Sequence, residues 1–186
     1  MDKKRLYIFC FAILPLMICS GIVYSVLALF MSEELSASRT QIGLIYMTGA
    51  LAGAIVAPFV GSLSDRIGRR PILLVCMASF VGVFALYALV GDVVQAFPVQ
   101  AVEGGIWAAL GPVAMAYVTD IVPSEHRGWA LGMYERTWFI GWIIGPALGG
   151  LMADTIGFRT TFLVGSALVI AGLAFMWRYV KEQPKA

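Results

Sequence analysis

An all-α, polytopic membrane protein with six spanning helices is the fold class this sequence predicts, on three observations. Hydrophobic residues fill 60% of the 186 positions and charged residues only 13%, too little polar surface to wrap a water-soluble core. The charges fall in short patches separated by about 20 mostly apolar residues, the length that crosses a bilayer as a helix. The period-two alternation that a transmembrane barrel requires is not visible.

The first span runs from about Leu6 to Met31. It is too long, and lacks the small-residue cleavage site, for a removable signal peptide. Its polar face consists only of Ser20 and Tyr24. The second span, Gln41 to Leu63, carries a small-residue ridge of Gly49, Gly53, Ala57 and Gly61, suited to close helix packing. The third, Pro71 to Val90, and the sixth, Thr160 to Trp177, hold no charge in their apolar cores, as peripheral helices would. The fourth, Val93 to Thr119, and the fifth, Gly128 to Ala153, carry charges at depth. Residues 1–180 are thus one bundle, and 181–186 begin a cytoplasmic linker or tail.

Basic residues orient the bundle. With both termini in the cytoplasm, Lys3, Lys4, Arg5, Arg66, Arg69, Arg70, Arg127, Arg178, Lys181 and Lys185 lie inside and only Arg39 and Arg159 outside, while Arg136 falls within a span. That asymmetry is the positive-inside pattern, expected of a plasma-membrane protein such as one of a bacterial inner membrane. The net charge of +2 is therefore a topology signal and does not point to nucleic acid. Cys10, Cys19 and Cys76 lie inside spans without a CxxC pair, and read as small apolar packing residues. An enzyme is not expected: there is no nucleophile and base pair, metal-ligand cluster or phosphate-binding loop, and His126 is the only histidine. No metal or cofactor is implied.

Between the second and third spans, Gly61 to Leu73 reads G-S-L-S-D-R-I-G-R-R-P-I-L. Gly61 and Gly68 permit close approach or positive φ, Asp65 can accept hydrogen bonds or face a helix N-terminus, and Arg66, Arg69 and Arg70 offer planar forks to acids. Asp120 ends the fourth span on the same side, within reach of Arg69. A generic basic turn is the plainer reading of this run. The segment resembles the loop between helices two and three of the major facilitator superfamily, G-x-L-x-D-R-x-G-R-R/K. The resemblance implies that the Arg69–Asp120 pair and Asp65 form a gate, with Asp65 facing a helix of a second six-helix half and helping to hold the outward-facing state. Pro123 to Gly128 resembles the family's P-x-x-x-R-G turn, which adds Arg127, and Glu125 stands near the arginines.

Gly141, Gly145, Pro146, Gly149 and Gly150 spell G-x-x-x-G-P-x-x-G-G, similar to the fifth-helix motif of the family's drug/proton antiporter branch. Glycines four apart allow another backbone to approach, and Pro146 bends the helix. A tight crossing with no bearing on coupling explains the same residues.

Glu103 lies about ten residues, ~15 Å, into the fourth span, near the midplane, where an unpaired carboxylate is costly. With Gln100, Trp107 and Tyr117 it forms a polar and aromatic stripe suited to a cavity wall, as do Glu135, Trp138 and Trp142 on the fifth span, with Arg136 about 100° round the helix. Helix levels leave Arg136 ~12 Å from Glu103, too far for a direct bridge. Glu103 is therefore protonated or hydrated, which suits a proton-coupling group as well as a satisfied polar residue in a bundle. The antiporter branch carries R-x-x-Q-G at this place, whereas this chain has Gln100-Ala101-Val102-Glu103-Gly104. The usual coupling arginine is absent, and an acid replaces glutamine.

The resemblance covers the N-terminal half of the superfamily's two-bundle unit, so the fold expected is half of a major facilitator fold. Its partners would be the lipid bilayer, a small-molecule substrate with protons, and a second half or a homodimer partner. The function implied is proton-coupled export of amphipathic organic molecules by alternating access. Uptake of a metabolite or sugar, or a non-transporting six-helix subunit, are the alternatives.

Overall fold

The computed structural model describes residues 3–182, so of the expected tail Lys181 and Glu182 are described while Lys185 and the rest of 183–186 lie outside the described residues. Six helices long and apolar enough to cross a membrane follow one another: α1 (Lys3–Glu33), α2 (Arg39–Ile67), α3 (Arg69–Leu89), α4 (Val93–Asp120), α5 (Arg127–Ile156) and α6 (Phe158–Tyr179). A short 3-10 turn, Ser124–His126, leads into α5. Most helices run past the expected span ends, because hydropathy marks where the chain is apolar and not where its hydrogen bonds stop. Helix α5 continues through Pro146 without a break.

Local chemistry sets the ends. Ser38 and Gln41 form a reciprocal capping box at the start of α2, and Asp92 accepts from the Val94 and Gln95 amides at the start of α4. Two junctions are single glycines. Gly68 (φ 102°) joins α2 to α3 and Gly157 (φ 80°) joins α5 to α6, in a backbone region that side chains strongly disfavour.

Helix α1 is the central rod, flanked by α5 and α6; α2 lies along α4, and α3 sits against α4 and α6. Lipid tails are as apolar as leucine, so apolar burial does little to hold such rods together and close contact must do so. At the α1–α5 crossing Gly141, Gly145 and Gly149 abut Met17, Gly21 and Ile22; a Cβ on Gly145 would lie 2.6 Å from the Gly21 Cα. Gly150 faces open space, so it is not part of this crossing although it belongs to the same run of sequence. On α2, Gly49 and Gly53 lie against Gln100 and Gly104 of α4, whereas Gly61, expected in the same ridge, has no neighbour there.

At the opposite end from the α2–α3 junction, Arg159 donates to Glu34 Oε2 and to the Ala88 carbonyl, both at 2.8 Å. This staples the α1–α2 loop and the end of α3 to the start of α6. Helices α2 and α5 keep broad apolar faces uncovered, including Met47, Leu51, Ile55 and Phe59 on α2 and Phe139 and Ile143 on α5.

Candidate functional site

The α2–α3 junction, the end of α4 and the last described residues converge on one face. The expected loop is in fact only Gly68: α2 carries its hydrogen bonding through Gly61 to Ile67, and the Gly68 amide donates back to the Ser64 carbonyl at 3.0 Å. Asp65 is therefore a residue of the last helical turn. The Arg69 guanidinium collects three partners from two helices: Asp65 Oδ1 at 2.5 Å, Ser64 Oγ at 2.6 Å, and Asp120 Oδ2 at 3.2 Å. Arg70 turns the other way, donating to the Val180 and Trp177 carbonyls, each at 2.6 Å, and so satisfies the C-terminal end of α6.

Glu182 was not singled out by the sequence. Its carboxylate receives the Arg69 and Arg70 backbone amides at 3.1 and 2.9 Å, capping α3 from a segment more than a hundred residues away. Gly68 makes room for it, since a Cβ there would lie 2.8 Å from the Glu182 carboxyl carbon. No pattern in the sequence announces such a cap. Arg66 and Arg127 are exposed on the same face, and Glu125 accepts from the Ser124 hydroxyl at 3.2 Å.

A second polar group lies inside the helices. Gln100 and Glu103 do not line an open wall, as the stripe suggested; both are buried, and Glu103 is fully enclosed. Gln100 packs beneath Gly49 of α2. The Tyr87 hydroxyl of α3 is 2.8 Å from Gln100 Oε1 and 2.6 Å from Glu103 Oε2, while Glu103 Oε1 has no hydrogen-bond partner among the described residues. Tyr87 was missed because its span reads as uncharged and peripheral, although a hydroxyl in an apolar span always needs a partner.

The aromatic part of the stripe lies beside the acid and is bonded within itself. Trp107 Nε1 donates to the Tyr24 hydroxyl at 2.8 Å and stacks edge-on against Trp138, which in turn lies against Trp142. Tyr117 leaves this group altogether: it is buried near the terminal face, over Phe9, with its hydroxyl donating to the Lys181 carbonyl. On α5, Glu135 is half-buried and Arg136 exposed, and Arg136 makes no ion pair with Glu103 among the described residues. Such a site offers a surface latch of charges and an enclosed carboxyl beside an aromatic cluster.

The profile of the Major Facilitator Superfamily matches residues 9–186. The chain belongs to this superfamily. Among curated relatives, the multidrug resistance protein MdtG of Yersinia enterocolitica is 34% identical over 88% of this chain and 41% of its own length. The uncharacterized MFS-type transporter MJ1560 of Methanocaldococcus jannaschii is 30% identical over 96% of this chain and 46% of its own. The chain thus spans less than half the length of these relatives. In fold, all of it matches 49% of the human organic anion transporter MFSD10 with a TM-score of 0.79 at 16% identity. The superfamily architecture assigns the six helices to the membrane as half of a major facilitator fold.

Proposed function

We propose that this bundle is one half of a secondary transporter that exports amphipathic organic molecules against protons, working with a second six-helix bundle in the plasma membrane. The single observation that carries the reading is Arg69 holding Asp65 of α2 and Asp120 of α4 together on the face where the basic residues collect. That face is cytoplasmic in this proposal, by the positive-inside pattern. Partly exposed ion pairs are worth about 0–1 kcal/mol, so a latch built from them can open and reclose within a transport cycle. The uncovered faces of α2 and α5 are where a second bundle would pack, and MdtG supports the choice of export.

Glu103 is the proton carrier in this scheme. A hydroxyl has one proton to give, yet Tyr87 is within bonding distance of two acceptor oxygens. The Tyr87 hydroxyl can donate to an ionised Glu103, or donate to Gln100 and accept from a neutral Glu103, so the same three groups accommodate the carboxyl with and without its proton. Reorganisation of α3 against α4 that admits water would let it ionise.

The test is export of an amphipathic dye from membrane vesicles carrying the protein, followed across external pH. Export that collapses with a proton uncoupler, and whose pH dependence flattens in Glu103→Gln, is the expected result. Dye flux indifferent to the uncoupler, or an unchanged pH profile in the variant, would remove the proton assignment. Absence of flux in any direction would favour a non-transporting subunit.

A further inference from the structure

We propose that the junction of α1 and α6 is a binding site for one anionic phospholipid. A cavity of about 340 Å³ opens at the terminal face between the start of α1, the end of α4 and the end of α6. Lys4, Arg5, Arg178 and Lys181 line it, with Tyr117 at its base, and its described lining contains no carboxylate. Glu182, the nearest acid in sequence, is turned away onto the α3 amides. Lys3 also points elsewhere, over the Trp129 ring. The cations that signal topology are usually scattered, but these converge on one hollow from opposite ends of the described chain. Basic pockets of this kind between helix ends take lipid headgroups.

A second observation shows where the rest of the ligand goes. The cavity shares Lys4 and Ile8 with an almost wholly apolar cleft of about 720 Å³ that climbs between α1, α5 and α6. Tyr7, Phe11 and Leu14 form one wall along α1, and Ile140 and Phe175 close the other sides. Phe11 and Phe175 meet edge to face at 5.0 Å. From Lys4 to Leu14 the cleft climbs about 15 Å along the helix, half of the ~30 Å hydrocarbon core, so its depth is that of one leaflet. Phosphate in the basic cavity and one acyl chain in the cleft account for both features at once. A free phosphate would leave the cleft unexplained, and a neutral lipid would leave the cations unexplained.

The complete chain is reconstituted in vesicles of equal phosphatidylglycerol and phosphatidylcholine and extracted into a mild neutral detergent, and retained lipid is counted by native mass spectrometry. Phosphatidylglycerol is expected in excess. A cation near a membrane surface is worth about fivefold in anionic-lipid affinity, so Lys4→Gln with Arg178→Gln and Lys181→Gln together should lower its retention about a hundredfold. Charge-preserving Lys4→Arg with Arg178→Lys and Lys181→Arg should retain it, as should Arg127→Gln, which removes a cation from the same face outside the cavity. Equal retention of both lipids, undiminished retention in the glutamine variant, or a conservative variant as defective as the glutamine one would each overturn the proposal. So would release of the lipid by millimolar inorganic phosphate, which would mark the cavity as a site for a free anion.

Discussion

Replacing Gly145 by alanine should loosen the α1–α5 crossing, whereas the same change at Gly150 should not. At Gly145 the new Cβ would lie 2.6 Å from the Gly21 Cα, 2.6 Å from the Ile18 carbonyl oxygen and 2.8 Å from the Gly21 carbonyl carbon. Carbon atoms at rest keep about 3.5–4.0 Å apart, so the two helices must separate by roughly 1 Å. All three neighbours are backbone, and no rotamer change relieves them. Overpacking costs about 1–3 kcal/mol, and a backbone clash on three sides belongs at the upper end, about 2–3 kcal/mol. The gain from replacing a helical glycine by alanine, up to about 1 kcal/mol, is common to both variants and cancels in their difference. Unfolding of the purified chain in mixed micelles, titrated with dodecyl sulfate and followed by circular dichroism, should therefore separate the two by about 30- to 150-fold in the unfolding constant. If Gly145→Ala unfolds at the same point as Gly150→Ala, the crossing is not held by backbone contact and the account of α1 as the central rod fails with it.

Two further predictions concern the terminal face. A double-mutant cycle on Arg69→Gln and Asp120→Asn in the same micelles should give a coupling below about 1 kcal/mol, as partly exposed ion pairs do, and a coupling above about 2 kcal/mol would show a fixed strut in place of a latch. Glu182→Gln weakens a charge-assisted cap worth about 0.5–2 kcal/mol, so hydrogen exchange at the Arg69 and Arg70 amides should quicken about two- to thirtyfold. Unaltered exchange there would mean that the last described residues do not hold α3.

Much of the fold was legible because the bilayer imposes it. A continuous apolar run has to be a helix of about 20 residues, which is why six spans could be counted from Leu6 to Trp177, and why errors were confined to the ends. The G-x-L-x-D-R-x-G-R-R run likewise pointed to the Arg69–Asp120 contact, which the structure contains. It misled over conformation: eight polar or small residues in ten suggest a loop, yet only Gly68 leaves the helix, because nothing in Gly61 to Ile67 prevents continued backbone bonding.

What stayed hidden is the rotational phase of each rod, and the reason is the same solvent. In water an apolar stripe marks the buried side of a helix; in lipid Phe139 and Ile143 are as apolar on the outside as Leu16 and Met17 are in the core. Gly145 and Gly150 are chemically identical, and only the position of Gly21 on a neighbouring helix distinguishes them. Polar atoms are the exception, because each must find a partner wherever it points. Tyr87, Gln100 and Glu103 thus fix α3 against α4, as Arg69 and Asp120 do at the surface. The residues that define the phase of the bundle are therefore the ones whose bonds would have to change for the helices to shift, so under the proposed transport cycle packing and movement would share their determinants at α3 and α4.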